Sequence, residues 1–321
     1  MVSSLGAPEP TMAWCTTAPA EDEMGISRWP LFVLFLTAPL TWVSAQTLRV
    51  DTSLVLVPVS VTDRRGATVN GLEPSNFAVF EDQAPQAIVA FSSGDAPSSV
   101  GLIFDTSGSM QGKLKVAKAA LRAFVDSSNP EDEAFLFTVS TRPNTSSAFT
   151  SDLGSLVESA HFLTAGGDTA LVDTVYAGLQ RMRSASNPRR ALLILSDGID
   201  NHSRRSKAEL MRLAMETDAQ IYTIGIDARV RTMKPIQQQE EQRGLALLQD
   251  LAENTGGLFF TISDTSDANA VVAKAVLAMR NQYLLAYHPG PSAQPGKWHR
   301  IRVKLNVAHT NVSARNGYYS E

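Results

Sequence analysis

The chain has 321 residues and a formal net charge of -4, and 44% of its residues are hydrophobic and 19% charged. This composition supports the core of one large or two modest domains, and the absence of a basic block argues against a nucleic-acid surface. The single cysteine, Cys15, excludes an internal disulfide framework and a cysteine-based metal site, and the five histidines lack the spacing of zinc ligands.

The N-terminal part contains an apolar run at residues 29–43, which follows a basic residue and precedes small residues that end at Ala45. This order predicts a secretory signal that is cleaved after Ala45. A membrane anchor is the alternative, but the run is broken by prolines and is short for a span, which needs about 20 apolar residues. Residues 1–23 fit no targeting class, so we expect Met24 to be the true start. We therefore interpret residues 1–45 as an upstream extension and a signal peptide of a secreted, periplasmic or cell-envelope protein.

Residues 46–97 are predicted to be rich in β-strand. Valine and leucine dominate the stretch LRVDTSLVLVPVSVTD, and turn residues separate it from FAVFED and QAIVAFSS. Three or four short strands joined by tight turns are typical of an antiparallel sheet. A sheet of this size needs a second layer to cover its apolar face.

Apolar strands alternate with amphipathic helices through residues 98–280. The predicted strands are SVGLIFDT, EAFLFTVS, RRALLILSD, AQIYTIGID and LFFTIS, and six helical segments lie between or after them. This β-α-β-α series predicts an α/β fold with a doubly wound, mostly parallel sheet flanked by helices on both faces. Residues 229–243 are polar and aperiodic, and we interpret them as a surface insertion.

Residues 281–321 return to a strand pattern. The stretches YLLAYHP, WHRIRVKLNVA and NVSARNGYY are apolar enough for strands, and a turn rich in proline and glycine follows the first. We expect them to complete a small antiparallel β-sandwich with residues 46–97, with the α/β domain inserted between the two halves. Two independent β elements are the alternative, but each would be marginal alone.

A cluster of side-chain oxygens follows the first strand of the α/β series, in the run DTSGS at residues 105–109. A second set, SDG at residues 196–198, follows another strand, and a third, GGDT at residues 166–169, precedes a helix. Because ligands bind at the carboxyl ends of strands in open parallel sheets, the three loops are expected to share one edge. A polar turn with a Ser or Asp helix cap would explain the first set alone.

In this order, DTSGS, GGDTA and LSDG resemble the metal-ion-dependent adhesion site of von Willebrand factor type A domains, and the likeness covers residues 98–280. The flanks VLVPVSVTDRRGATVNGLEPSNFAVFED and ARNGYY resemble a group of secreted bacterial proteins related to that family. The resemblance implies the Rossmann-like fold of these domains, placed here within the small sandwich.

The resemblance also implies roles for five residues. Ser107, Ser109 and Thr169 would offer hydroxyl oxygens to a divalent cation, and Asp105 and Asp197 would lie close to it, in part through waters. Such hard oxygen ligands suit Mg²⁺ best, with Mn²⁺ or Ca²⁺ as alternatives. Neutral hydroxyls leave the cation under-neutralised, so an open position would favour a carboxylate of a partner. We therefore expect metal-mediated protein–protein interaction or adhesion, with no nucleic acid and no stable membrane span after signal cleavage.

Two further carboxylates depart from the family pattern or adjoin it. Family members commonly have glycine or a neutral residue where this chain has Asp168 before the threonine. This extra carboxylate either lies outside the ligands or partly neutralises the metal and weakens partner capture. Asp200 raises the same question, and a solvated loop carboxylate is its alternative interpretation.

An enzyme is the main alternative class. A phosphatase of the haloacid-dehalogenase type needs a second acid two residues after Asp105, where this chain has Ser107. A serine hydrolase needs a G-x-S-x-G frame and a partner histidine, and Ser109 lacks both; no P-loop is present. We therefore expect no catalytic residue. A structural envelope protein with a fold-stabilising metal is the second alternative, and a metal-dependent hydrolase is the third.

Overall fold

The computed structural model describes residues 54–145, 147–227, 235–290 and 296–320. The predicted signal peptide, Cys15 and Met24 lie outside the described residues, as does the first part of the predicted insertion. Among the described residues, none of the helices has both the length and the apolar character needed to cross a membrane.

The elements follow one another in three groups. The first group has four strands: β1 (Val55–Asp63), β2 (Phe77–Glu81), β3 (Ala84–Gln86) and β4 (Ala90–Ser92). The second alternates: β5 (Ser98–Asp105), α1 (Leu114–Ser127), β6 (Glu133–Val139), β7 (Asn144–Thr145), α2 (Leu153–His161), α3 (Leu171–Met182), β8 (Arg189–Ser196), α4 (Lys207–Glu216), β9 (Gln220–Ile226), α5 (Pro235–Thr255), β10 (Phe259–Ile262) and α6 (Thr265–Arg280). The third comprises β11 (Tyr283–Tyr287), β12 (Trp298–Leu305), β13 (Thr310–Ala314) and β14 (Gly317–Tyr319).

Six strands form the central sheet in the order β10-β9-β8-β5-β6-β7. The neighbouring pairs run parallel except at the edge, where β7 is antiparallel to β6. Strand β5 lies between β8 and β6, and all eight of its residues are buried. The predicted α/β fold with a doubly wound, mostly parallel sheet is confirmed.

Helices cover both faces of this sheet. The apolar residues of α1, α2 and α6 pack on one face against Leu102 and Phe104, while those of α3, α4 and α5 pack on the other against Ile103. Successive residues of a strand point to opposite faces, which is why neighbours on β5 enter different cores. Burial of each such side chain contributes about 1.5–3 kcal/mol relative to exposure.

Two four-stranded antiparallel sheets form the predicted β-sandwich, in the orders β13-β1-β11-β4 and β14-β12-β2-β3. Each sheet combines strands from before and after the α/β region, since β1 pairs with β11 and β13, and β2 pairs with β12. Apolar residues of both sheets share one core, which includes Val57, Val79, Leu285, Tyr287 and Ile301. The segments 54–92 and 283–319 therefore form the β-sandwich together.

A buried polar network links this sandwich to the central sheet. The Tyr222 hydroxyl on β9 donates to Gln220 Oε1 at 2.9 Å and accepts from Gln282 Nε2 at 2.9 Å. It also lies 3.2 Å from the hydroxyl oxygen of Ser60 on β1. Burial raises the pKa of Tyr222 to about 12, so the phenol stays a donor at physiological pH.

Two elements differ from the sequence predictions. Helix α5 begins at Pro235, so residues 235–243 form its first turns and are not a loop insertion. The prediction was wrong because most described side chains in these turns are exposed and polar, which hides the helical period. The stretch 311–319 contributes to two strands in different sheets, and Arg315 between them is buried and donates from Nη1 to Asp218 Oδ1 at 2.7 Å.

Candidate metal centre

Four of the five predicted ligands meet through their side chains at the carboxyl edge of the central sheet. Asp105 ends β5, and its Oδ1 accepts the backbone N–H of Ser107 at 2.9 Å. The hydroxyl oxygens of Ser107 and Ser109 lie 3.0 Å apart, and Ser109 Oγ donates to Asp197 Oδ1 at 3.3 Å. Loops after two adjacent parallel strands, β5 and β8, therefore bring their oxygens into one cluster.

Thr169 joins this cluster through the backbone of its loop. The N–H of Gly108 donates to the Gly167 carbonyl at 2.9 Å, and the N–H of Gly166 donates to the Thr106 carbonyl at 2.9 Å. The Thr169 side chain is 1% exposed, yet among the described residues it has no side-chain hydrogen bond to the other four. The structure thus places the three predicted loops together, with Thr169 in the neighbouring loop.

The two carboxylates of the cluster oppose one another electrostatically. Asp105 and Asp197 are both fully buried. Burial, and then the charge of Asp197, raise the pKa of Asp105 from 3.8 to about 6, although hydrogen bonds from Ser107 and Ser196 act in the opposite direction. A carboxylate that is costly to ionise beside a second one is a position where a bound cation would lower the free energy.

Lys113 supplies one positive charge to this cluster. Its Nζ lies 3.0 Å from Asp197 Oδ2 and 2.8 Å from Glu241 Oε1, and all three side chains are buried. Burial acts to lower the pKa of Lys113, but the charge of Asp197 and the hydrogen bonds to both acids hold it above its usual value. By formal charge, the cluster of Asp105, Asp197, Glu241 and Lys113 carries a residual charge of -2, since three negative charges meet one positive charge.

This residual charge and the donor types fit a divalent cation. Carboxylate and hydroxyl oxygens are the ligands of Mg²⁺, Mn²⁺ and Ca²⁺. A charge of +2 would neutralise the cluster. No group of three or more His, Cys, Asp or Glu suited to a metal occurs among the described residues.

Three residues of the cluster were not among the predicted ligands, although Ser196 belongs to the second oxygen set of the sequence. Ser196 Oγ donates to Asp105 Oδ2 at 2.5 Å and accepts the Gly198 N–H at 2.8 Å. The position of Ser196 beside Asp105 could be predicted from the sequence pattern, because Ser196 ends a strand that lies directly beside β5. Lys113 and Glu241 carried no such signal, since their contact depends on where α5 begins.

The two additional carboxylates lie outside the cluster. Asp168 is exposed, and its Oδ2 is 3.5 Å from His202 Nδ1. Asp200 Oδ1 accepts from the backbone N–H of Val172 at 3.3 Å and from the hydroxyl of Ser203 at 2.5 Å. Asp200 therefore satisfies a backbone donor in the first turn of α3, as a helix cap does.

Helix α5 touches the Asp197 loop through two glycines. Gly198 has a φ of +79°, and a Cβ atom on Gly244 would lie 2.5 Å from the carbonyl carbon of Gly198 and 2.7 Å from the carbonyl oxygen of Asp197. Real Cβ atoms do not approach this closely, so only glycine permits this contact. The backbone of α5 is therefore packed directly on the loop that carries Asp197.

Replacement of Gly244 by alanine is expected to destabilise the protein by about 1–3 kcal/mol, as overpacking does. Glycine-to-alanine changes inside helices ordinarily stabilise by about 0.5–1 kcal/mol, so the expected sign is reversed here. Urea unfolding would measure the change. Gly154→Ala in α2 is the matched control, because its Cβ would meet only Asp152 Oδ1 at 3.4 Å. A stabilised Gly244→Ala variant would contradict the described contact.

Comparisons with known proteins find similarity to a family model and to a curated relative. Residues 100–199 match the sequence model of a family described as "von Willebrand factor type A domain". A protein of Borreliella burgdorferi described as uncharacterized is 22% identical over 188 residues, which cover 53% of this chain and 55% of that protein. The chain thus spans about half the length of the curated relative that it matches.

Solved structures with similarity to the chain include three bacterial proteins. "von Willebrand factor type A from Catenulispora acidiphila" has a TM-score of 0.48 and 13% identity, and the match covers 85% of this chain and 74% of that one. The vWF domain of the type V pili tip protein Mfa5 from Porphyromonas gingivalis has values of 0.46 and 14%, with coverages of 58% and 95%. BatB from Bacteroides thetaiotaomicron has values of 0.45 and 15%, with coverages of 57% and 98%.

Proposed function

We propose that this chain, whose residues 100–199 match the von Willebrand factor type A domain, binds a partner protein through a divalent cation at the edge of its parallel sheet. The observation that carries the proposal is the cluster of buried Asp105, Ser107 and Asp197 with half-buried Ser109, and its excess of negative charge. Mg²⁺ is the cation that we favour, because few protein carboxylates and several neutral oxygens are typical of its sites.

In this proposal, Asp105, Ser107, Ser109, Thr169 and Asp197 would hold the cation. When bound, the cation supplies an electrophilic site for a carboxylate of the partner. The chain's own residues orient the ligands: Ser196 fixes Asp105, Lys113 fixes Asp197, and Asn201 Oδ1 accepts the Thr169 N–H at 2.8 Å. The pre-arranged oxygens reduce the ordering cost of metal and partner binding.

The proposal does not include catalysis. The hydroxyls of Ser107 and Ser109 bond one another, and Ser109 also bonds Asp197, so neither has a histidine partner among the described residues. Nucleophilic serines need such a base within hydrogen-bond reach.

We also propose a secreted or cell-envelope location, which rests on the signal sequence predicted within residues 24–45. A structural role, in which the metal only stabilises the fold, is the second candidate.

A pull-down from cell-envelope extract tests the proposed function. The immobilised chain is expected to retain a partner in the presence of Mg²⁺ and to release it with a chelator, and Asp105→Ala should abolish that retention. Asp126→Ala is the matched control, because Asp126 is an exposed acid on α1 whose ion pair is with Arg122 of the same helix. Retention that is equal with Mg²⁺ and with chelator would refute the adhesion mechanism. Metal-dependent melting without a retained partner would favour the structural role.

A further inference from the structure

A groove lined by arginines lies beside the candidate metal centre. Its walls come from the loop after β6, from α3 and from the segment 202–205, and its lining includes Arg142, Tyr176, Gln180, His202, Arg204 and Arg205. We call it the arginine groove. Three guanidinium groups line one open groove of a chain whose formal net charge is -4, so positive charge is concentrated there against the overall balance.

Two of these guanidiniums have no acidic partner within the described ranges of the chain. The ion pairs of those ranges include none for Arg142 or Arg204, and both residues are exposed. Arg205 is engaged, because its guanidinium lies 4.1 Å from the ring centroid of Tyr176 and its Nη1 lies 3.6 Å from Asp173 Oδ1. Unpaired exposed arginines are well suited to bind carboxylates bidentately.

The backbone of the segment 202–205 is fixed to α3. Asp173 accepts the N–H of Arg204 and the N–H of Arg205, each at 3.0 Å. Burial acts against the charge of Asp173, but these two hydrogen bonds and the Arg205 charge hold its pKa below the usual value. Asp173 is therefore ionised and already engaged, and it does not neutralise the other two arginines. The guanidiniums project from a held backbone, which lowers the ordering cost of binding.

Two walls of the arginine groove, the loop after β6 and the segment 202–205, touch the loop that carries Thr169. The His202 N–H donates to the Thr169 carbonyl at 3.0 Å, and Thr141 Oγ1 accepts the Asp168 N–H at 3.4 Å. The groove therefore begins where the candidate metal centre ends. When a partner places one carboxylate on the cation, the partner's residues next to that carboxylate would lie in this groove.

We propose that the arginine groove binds an acidic segment of the protein partner, adjacent to the carboxylate that engages the cation. This inference rests on the proposed function and specifies its partner: a chain segment with several Asp or Glu residues. We choose this occupant because its negative charge complements the positive charge of the arginines. The groove extends past Tyr176 and Gln180, which favours an extended peptide over a single small anion.

Fluorescence anisotropy with a labelled oligoglutamate peptide tests this inference on the full chain. In chelator, the wild type is expected to bind the peptide in a salt-sensitive manner, and Arg142→Gln/Arg204→Gln should weaken binding about tenfold. The matched control is Lys115→Gln/Arg122→Gln, which removes the same charge from α1 on the opposite face of the sheet. Equal binding by the wild type and the groove variant would overturn the proposal.

Added Mg²⁺ separates this inference from the proposed function. Mg²⁺ should tighten peptide binding by the wild type more than by Asp105→Ala, which serves as the reference because the peptide itself binds Mg²⁺. A groove effect without this Mg²⁺ increment would refute the metal-dependent function and leave the arginine groove supported. Competition assays with a heparin fragment and with inorganic phosphate define the anion class. Stronger competition by either than by unlabelled oligoglutamate would overturn the assignment to an acidic protein segment.

Discussion

Lys113→Met is expected to lower the free energy of unfolding by about 3–5 kcal/mol, the cost of breaking a buried ion pair. Lys113 is 3% exposed, and its ammonium contacts both Asp197 and Glu241. Without it, three buried carboxyl groups face one another with no described positive charge among them. Urea unfolding in chelator would measure the loss.

Lys115→Met is the control for this substitution, because Lys115 is exposed in the first turn of α1, two residues after Lys113. It should change stability by no more than about 0.5 kcal/mol. Glu241→Gln, combined with Lys113→Met, should recover part of the loss, since one of the stranded charges is then removed. Mg²⁺ should also stabilise Lys113→Met more than the wild type. A Lys113→Met variant as stable as the wild type would show that the ion pair contributes nothing.

Asp105→Asn is expected to stabilise the metal-free protein at neutral pH and to abolish stabilisation by Mg²⁺. The pKa of Asp105 is raised from 3.8 to about 6, so the folded state binds this proton more tightly than the unfolded chain does. The stability of the wild type must then rise as pH falls from about 6 to about 4. Two pKa units correspond to about 3 kcal/mol, which the asparagine variant would retain at neutral pH.

Thermal unfolding with chelator and with Mg²⁺ checks both parts of this expectation. The wild type should melt at a higher temperature with Mg²⁺, whereas Asp105→Asn should melt at one temperature under both conditions. Asp126→Asn should behave as the wild type does, because Asp126 is an exposed acid far from the cluster in the fold. If Asp105→Asn is still stabilised by Mg²⁺, the cation binds elsewhere and Asp105 is not one of its ligands.

The local patterns of the sequence were sufficient for the fold class and for the principal oxygens of the site. Strand β5 lacks polar side chains from Val100 to Phe104 because helices cover both of its faces, and this pattern is visible without a structure. Asp105, Ser107 and Ser109 directly follow that strand, and Asp197 follows its neighbour β8. Parallel pairing of the two strands then brings their ends together, which is a consequence of topology and needs no side-chain detail.

The ion pair between Lys113 and Glu241 could not be predicted in the same way. Periodicity locates a helix by its apolar face, but the first turns of α5 present mostly exposed polar side chains to solvent. Glu241 and Gly244 face the protein interior there, and neither has the apolar side chain that a hydrophobic pattern detects. Gly244 is required instead by the close approach of α5 to the Asp197 loop, which no periodic pattern shows.

The pairing of β1 has a consequence for how the protein is made. Val55 lies opposite Tyr287 and Val59 lies opposite Ala314, so the partners of β1 are synthesised only after all strands of the central sheet. Domains fold in general as the chain emerges, and pairings between distant segments form late. The metal-site region can therefore fold before β1 is paired. Until that pairing forms, Val57 and Val61 remain exposed. Until β11 and β13 are available, β1 is an exposed apolar strand that a chaperone can bind. Pairing with these two strands then buries it.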